Sequence, residues 1–125
     1  MYDTNRFSHG ATNPMKQKSI STAKAVEMLP GVTRRTLTYN DDAMLCHFEL
    51  KKGAEIPLHN HDPVQIGTVL SGRVRFIGEK PADEYIAEAG DGYVMAANEK
   101  HGAVALEDSV LIEVFNPSRP EYTDF

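Results

Sequence analysis

The sequence contains a single cysteine, no apolar run of transmembrane length, and no concentrated stretch of basic residues. Cys46 can form no internal disulfide, which fits a reducing cytoplasm. A membrane-spanning helix needs roughly 18 consecutive apolar residues, and no segment approaches that length. The first residues also lack the apolar core and cleavage site of a secretory signal. We therefore expect a cytoplasmic protein with no membrane partner.

The charge pattern argues against nucleic acid as a partner. The net charge is −5, and the basic residues are scattered, with Arg34–Arg35 and Lys51–Lys52 as the only adjacent pairs. A nucleic-acid-binding domain normally carries a basic stripe or patch. We therefore expect no nucleic-acid partner.

The chain length of 125 residues suits one domain with one core. We expect a flexible N-terminal arm over residues 1–20 and a single domain over residues 21–125. His9 lies in the arm, where chain ends are usually mobile, so we do not expect it to bind a metal. Residues 21–29, STAKAVEML, predict a short helix that Ser21 or Thr22 caps and Pro30-Gly31 ends.

From residue 32 onward the pattern is that of strands separated by turn residues. The predicted strands cover residues 32–39, 43–50, 65–70, 73–77, 84–87, 93–97, 101–106 and 110–115. The spacing is close and regular, no long helix interrupts it, and no solenoid-length repeat is present. The sequence therefore predicts an all-β domain, either a sandwich or a closed barrel.

One strand shows the expected inward and outward faces clearly. In residues 43–50, Met44, Cys46, Phe48 and Leu50 share one side and form the predicted core face. Cys46 is then a small buried hydrophobe rather than a nucleophile. The same alternation turns His47 outward, so we expect a surface histidine and not a ligand.

Four side chains form a candidate metal site. His59 and His61 lie one residue apart just after Gly53, Gln65 follows four residues later, and His101 lies far downstream. Alternation along a strand places His59 and His61 on the same side, and His101 must then arrive from another strand. Three neutral imidazoles and an amide oxygen suit a divalent ion such as zinc, nickel, iron, manganese or copper. Surface or hydrogen-bonded histidines are the alternative for an isolated pair.

These residues carry a resemblance to a known family. The spacing of Gly53, His59, His61, Gln65 and Gly72 resembles the first motif of the cupins, which usually has glutamate where this chain has Gln65. The resemblance implies a small antiparallel β-barrel of the jelly-roll type that holds one divalent metal inside. It also implies a homodimer.

The second cupin motif is matched less closely. Gly90 and His101 have its spacing, so its metal histidine is kept. Ala96 stands where proline is usual, Asn98 where glycine is usual, and Ala105 where asparagine is usual.

The end of the chain resembles one cupin subfamily. Residues 105–122, ALEDSVLIEVFNPSRPEY, are similar to the pectin- and alginate-degradation cupins of the KdgF type, as are GVTRR near residue 31 and the ligand set. That type helps to open 4,5-unsaturated monouronates to linear keto forms. Its pocket acid, phenylalanine and arginine fall here on Glu113, Phe115 and Arg119, with glutamate in place of the usual aspartate.

The resemblance implies a role for each of these residues. Glu113 is expected to transfer a proton, Phe115 to form an apolar wall, and Arg119 to pair with the substrate carboxylate. The alternatives are a solvent-facing Glu113, a Phe115 that belongs only to the core, and an Arg119 in a solvated tail. Tyr93 and Arg35 are weaker pocket candidates, with Arg34 replacing Arg35 if the register shifts by one.

Two other functions remain open, because cupins host many chemistries. The first is a dioxygenase acting on flavonols, diketones or thiols, which an apolar cleft without a pocket arginine would favour. The second is a non-catalytic module that binds a small ligand. The pair of Glu113 and Arg119 favours the uronate enzyme over the dioxygenase.

Overall fold

The computed structural model of the chain describes residues 16–125, which form ten strands and no α-helix. The strands are β1 Ala25–Leu29, β2 Val32–Tyr39, β3 Met44–Leu50, β4 Glu55–His59, β5 Val64–Ser71, β6 Arg73–Gly78, β7 Tyr85–Glu88, β8 Gly92–Met95, β9 His101–Ala105 and β10 Ser109–Asn116. Single turns of 3-10 helix cover Pro81–Asp83 and Pro120–Tyr122. Within residues 16–125, no helix has the length and apolar character of a membrane span.

The strands build two antiparallel sheets. The six-stranded sheet has the order β1-β2-β3-β10-β5-β8, and the four-stranded sheet has the order β4-β9-β6-β7. No backbone ladder joins the two sheets in the described part of the chain, so they close around the interior by packing. This arrangement fits a jelly roll, and the all-β prediction is confirmed.

The core lies between the two sheets. Met44, Cys46, Phe48 and Leu50 of β3 are all buried, with exposed fractions of 7% or less, which confirms the predicted inward face. Burial raises the pKa of the Cys46 thiol to about 11, so this cysteine stays protonated at neutral pH. It behaves as the small buried hydrophobe that the sequence predicted.

All eight strands predicted from residue 32 onward are present, with ends displaced by at most two residues. The predicted helix over residues 21–29 is wrong, because β1 occupies Ala25–Leu29 and pairs with β2. Gly31, at a φ of +78°, lies in the turn between these strands and allows the chain to reverse there. Cross-strand pairing to β2 therefore outweighs the weak local helix preference. Strand β4 was missed because Pro57 interrupts its pattern.

The prediction of a surface position for His47 is also wrong. Its exposed fraction is only 4%, although it lies on the face of β3 opposite to the core. Strands β2 and β10 flank β3, and they place Arg35 and Ile112 directly beside the imidazole. A polar side chain in the middle of a wide sheet can thus be covered by its neighbours without entering the core.

Most of the predicted N-terminal arm, including His9, falls outside the described residues. The flexibility of residues 1–20 and the boundary at residue 21 stay predictions.

Candidate metal centre

Three of the predicted ligands lie together at one end of the interior. His59 is the last residue of β4, His61 lies in the following loop, and His101 is the first residue of β9. Strand pairing sets His59 directly opposite His101. One ring nitrogen from each histidine lies within 4.8 Å of the other two. The structure therefore brings the three predicted histidines together, and their role as ligands stays a prediction.

Backbone carbonyls fix the orientation of all three imidazoles. Each Nδ1 lies 2.8 Å from a carbonyl oxygen two residues away. The carbonyls belong to Pro57, Pro63 and Glu99. A carbonyl oxygen can only accept, so each Nδ1 carries the hydrogen and each Nε2 presents a lone pair. The rings are thus held in the tautomer that a metal ligand needs.

Gln65 completes the cluster from β5. Its Oε1 lies 3.0 Å from Nε2 of His61, while its Nε2 donates a hydrogen bond to Glu113. With the proton of His61 on Nδ1, two acceptor atoms face each other, which is unfavourable unless a cation lies beside both. Nε2 of His101 is buried and has no hydrogen-bond partner among residues 16–125. Such an unpaired buried acceptor is costly, and three nitrogens with one amide oxygen fit a divalent transition metal.

The pKa values of two of these histidines are lowered. Burial is the main cause for both, and for His101 it brings the pKa to about 4. Arg119 contributes to the lowering at both rings. Neutral imidazoles are the form that binds metals, and the lowered pKa values keep these two rings neutral at neutral pH.

Glu113 lies next to the cluster and is turned inward. It is 4% exposed on β10, and its Oε2 accepts hydrogen bonds from Gln65 at 2.7 Å and from Tyr93 at 2.6 Å. Burial raises the pKa of Glu113, and this effect outweighs the opposing influence of the two hydrogen bonds and of Arg119. The solvent-facing alternative for this carboxyl group is therefore excluded.

Gly67 makes room for this carboxyl group, a role that the sequence did not reveal. It lies on β5 directly opposite both Glu113 and Tyr93. A methyl group here would lie 2.8 Å from Cγ of Glu113 and from Oη of Tyr93, closer than real contacts allow. A glycine inside a predicted strand is the signal that could have indicated it.

Phe115 and Arg119 lie beside the histidines. The ring of Phe115 is 1% exposed and meets His61 edge-on at a centroid distance of 5.7 Å. The guanidinium carbon of Arg119 lies 5.3 Å from the centre of the Phe115 ring and 4.2 Å from that of Tyr122. The Arg119 side chain is only 14% exposed, so it does not belong to a solvated tail. Tyr122 was not predicted, because its position depends on how the chain end folds back.

Arg35 is not a pocket residue. It pairs with Glu49 on the outer face, whereas Arg34 is the inward arginine with 1% exposure. The alternative in which Arg34 replaces Arg35 as the inward side chain is therefore the one that the structure shows.

A cavity of about 300 Å³ lies beside the candidate site residues. Its polar lining residues are His59, Gln65, His101, Glu113 and Arg119. The rest of its wall is mainly apolar and includes Met28, Leu29, Val32, Phe48, Leu50, Ile56, Phe76, Leu111, Phe115 and Tyr122. A few convergent polar groups in an otherwise apolar cavity are typical of small-molecule sites.

Comparison with known proteins places this architecture in a family. Residues 46–115 match the family Cupin_2, the cupin domain. The chain is 37% identical over 98 residues to the pectin degradation protein KdgF of Dickeya dadantii (strain 3937), a match that covers 77% of this chain and 87% of that protein.

Solved structures agree with this placement. KdgF from Halomonas sp. superposes with a TM-score of 0.72 and 31% identity, covering 78% of this chain and 89% of that one. An RmlC-like cupin from Shewanella frigidimarina NCIMB 400 gives a TM-score of 0.79 at 24% identity, covering 86% of this chain and 95% of that one, and shows the fold alone. The resemblance carried by the two histidine motifs and the chain end is confirmed, and the chain belongs to the cupin family as a cupin of the KdgF type.

Proposed function

We propose that the protein is a metal-dependent enzyme that opens 4,5-unsaturated monouronates to linear keto-uronates in pectin or alginate degradation. One observation carries the proposal: the buried carboxyl group of Glu113 is hydrogen-bonded to Gln65 beside the three histidines. Arg119 lines the same cavity. The 37% identical relative named as a pectin degradation protein supports this choice of substrate.

The reaction defines what the site must supply. The substrate is a cyclic enol ether with a hemiacetal carbon and a carboxylate. Ring opening removes the proton of the hemiacetal hydroxyl and breaks the bond from that carbon to the ring oxygen, which leaves an aldehyde and an enolate. A proton added to carbon then converts the enolate to a ketone, so one proton is removed and one is returned, and the reaction is an isomerisation without loss of atoms. The site must stabilise enolate charge, move a proton and hold a carboxylate.

A zinc, nickel, iron or manganese ion would be held by His59, His61, Gln65 and His101. When bound, it would supply Lewis-acid stabilisation of the negative charge on the enolate oxygen. These four side chains are all neutral donors, whereas the glutamate usual in the first motif would add a negative charge. Neutral ligands do not offset the charge of the ion, so a bound ion would attract a substrate oxygen more strongly than it would with a glutamate ligand.

Glu113 is the proposed proton-transfer group. Both of its hydrogen bonds end on Oε2, so among the described residues Oε1 is the oxygen left to meet the substrate. The raised pKa of Glu113 favours a protonated carboxyl group that can donate to carbon. Tyr93, whose own pKa is raised by burial, stays neutral and holds Oε2 in place.

Arg119 is the proposed carboxylate-binding group. Its Nε donates a hydrogen bond of 2.6 Å to Glu121, which leaves the terminal nitrogens for a forked pair with a substrate carboxylate. Contact with the rings of Phe115 and Tyr122 restricts its orientation. Phe115 then forms an apolar wall between the arginine and the histidines.

The test is a turnover assay on freshly released 4,5-unsaturated galacturonate, followed by the ultraviolet absorbance of its conjugated double bond. We expect chelator-sensitive acceleration over the spontaneous rate. Glu113→Gln should retain its metal and lower kcat by about 100-fold or more. Glu49→Gln, an exposed acid on the outer face, is the matched control and should keep full activity. An undiminished rate in Glu113→Gln would remove this residue from the mechanism.

A dioxygenase is the second candidate, because the cavity wall is mainly apolar. Arg119 argues against it, since flavonols, diketones and thiols need no carboxylate-binding arginine. Oxygen uptake by the iron-loaded protein on such substrates, without uronate turnover, would favour it. Retained metal and uronate binding without any turnover would instead indicate a non-catalytic binding module.

The expected homodimer stays a prediction. Ile66 on β5 and Val94 on β8 are cross-strand neighbours on the outer face of the six-stranded sheet and are 52% and 58% exposed. Sedimentation velocity, which measures the mass of the particle in solution, would decide between monomer and dimer.

A further inference from the structure

Among residues 16–125, Arg34 is the most deeply buried charged side chain that the proposed reaction does not use. It lies on β2, is 1% exposed and does not line the cavity. A buried guanidinium is stable only when its donors are satisfied. Its terminal nitrogens bond Oγ1 of Thr36 at 2.6 Å, the carbonyl oxygen of Tyr122 at 2.9 Å and the carboxylate of Asp124 at 2.5 Å. Two of these three partners belong to the C-terminal segment, residues 117–125.

The two arginines meet at one aromatic ring. The guanidinium carbons of Arg34 and Arg119 lie 4.5 Å and 4.2 Å from the centre of the Tyr122 ring. Phe48 and Phe115 contact the same ring edge-on, and Tyr122 is 9% exposed. The ring therefore has little freedom to move. It contacts both arginines, so it connects Arg34 to Arg119.

The backbone adds a second connection. The amide of Tyr122 donates to the carbonyl oxygen of Arg119 at 3.0 Å, within the single 3-10 turn. The Tyr122 carbonyl accepts from both Arg34 and Thr36, the latter at 2.7 Å. The turn therefore meets β2 through the carbonyl group and the ring of Tyr122. Beyond the turn, Asp124 pairs with Arg34, and Phe125 contacts Tyr39 of β2 edge-on at a centroid distance of 5.6 Å.

We propose that Arg34 is a positioning residue that holds Arg119 in its carboxylate-binding orientation through Tyr122. The inference rests on the proposed function insofar as Arg119 recognises a carboxylate. The inference adds that the preference of the site for an acid over its uncharged ester depends on Arg34, although Arg34 does not line the cavity. Lysine cannot replace Arg34, because the three partners are bound from two separate nitrogens and the guanidinium also contacts the Tyr122 ring, whereas lysine offers a single nitrogen.

The neighbouring residue provides a matched control. Arg35 is on the opposite face of β2 and pairs with Glu49, and it is 21% exposed. Arg34→Lys and Arg35→Lys are thus the same chemical change at adjacent positions with opposite orientations. Asp124→Asn, at a side chain that is 35% exposed, is a milder variant if Arg34→Lys fails to fold.

The experiment compares two readouts on the metal-loaded full chain. Hydrogen exchange measures the protection of the backbone amides of Tyr122 and Thr123. Calorimetry measures the affinity for galacturonate and for its methyl ester, neither of which turns over. We expect Arg34→Lys to lose amide protection and to bind the acid about tenfold more weakly, with affinity for the ester unchanged. Arg35→Lys should match the wild-type protein in both readouts, and Asp124→Asn should change in the same direction as Arg34→Lys.

Three other outcomes overturn the proposal. Faster exchange with unchanged acid affinity would show that the segment does not orient Arg119. Equal weakening for acid and ester would indicate general damage to the cavity, and a wild-type protein that does not distinguish acid from ester would remove Arg119 as the carboxylate group. A protein that distinguishes them without turning over the unsaturated substrate would contradict the proposed function and leave the role of Arg34 intact.

Discussion

Gln65 donates a hydrogen bond of 2.7 Å from Nε2 to Oε2 of Glu113 on the neighbouring strand β10. This bond fixes the amide so that Oε1 points toward Nε2 of His61. The orientation of one candidate ligand is therefore set by the candidate acid. A glutamate at position 65, as the first cupin motif usually has, would remove the donor to Oε2 of Glu113 and place a second carboxyl group beside it.

The amide and the acid should therefore behave as a matched pair. We expect Gln65→Glu to destabilise the metal-free protein by about 1–3 kcal/mol, because the buried amide that donates to Oε2 of Glu113 is replaced by a second carboxyl group. The double variant Q65E/E113Q restores one amide and one acid and should recover most of this loss. Urea unfolding of the metal-free single and double variants measures the coupling. Additive losses in the double variant would contradict the pairing.

Metal content tests the ligand assignment directly. His61→Ala should abolish binding of a divalent metal, because it removes one of three converging nitrogens. His47→Gln changes a buried histidine outside the cluster and should retain the metal. Elemental analysis after dialysis gives the occupancy. Full occupancy in His61→Ala would defeat the assignment.

The space opposite Glu113 should tolerate no methyl group. Gly67→Ala is expected to destabilise the fold by about 1–3 kcal/mol and to lower activity, because the added carbon forces the carboxyl group or Tyr93 aside. Gly92→Ala is a suitable control, since its added carbon would meet only the carbonyl oxygen of Gly67 at 3.7 Å. Thermal unfolding and kcat of the two variants would be compared. Equal stability of the two would show that the contact relaxes without cost.

Stability should fall in acid through His47. Burial lowers its pKa below the ordinary 6.5, Arg35 lowers it further, and Glu49 partly opposes both. Above an unfolded-state pKa of about 6.5, this histidine is neutral in both states and its contribution to stability is fully present. As the pH falls below that value, the unfolded chain gains a proton that the folded protein resists, so stability is lost toward the lowered folded pKa.

His47→Gln should therefore flatten the loss of stability between about pH 7.5 and pH 5. Urea unfolding of metal-free wild-type and variant proteins at several pH values measures the two slopes. The histidines of the cluster contribute equally to both proteins, so the difference belongs to His47. Parallel slopes would contradict the prediction.

Features decided by local pattern were predictable from the sequence. Eight strands and the inward face of β3 follow from alternation and turn residues. The convergence of the three histidines was expected from the resemblance to the two cupin motifs. Features decided by distant parts of the chain were not. The local sequence of β1 favours a helix, and only its pairing with β2 makes the segment a strand.

The same limit applies within the site. Nothing near Tyr122 in the sequence indicates that it meets Arg34, which lies 88 residues earlier in the chain. The need for glycine at position 67 arises only because β8 and β10 place Tyr93 and Glu113 beside it. Such contacts are set by strand order, which a single sequence does not encode locally.

The carbonyl groups that hold the three imidazoles have a consequence for how this site can change over time. Every amino acid has a backbone carbonyl, so substitutions at positions 57, 63 and 99 exchange the side chain and keep the acceptor. An insertion or deletion of one residue beside a histidine would move the acceptor away. The orientation of the imidazole rings therefore depends on the lengths and paths of the segments around them. It depends much less on which amino acids occupy positions 57, 63 and 99.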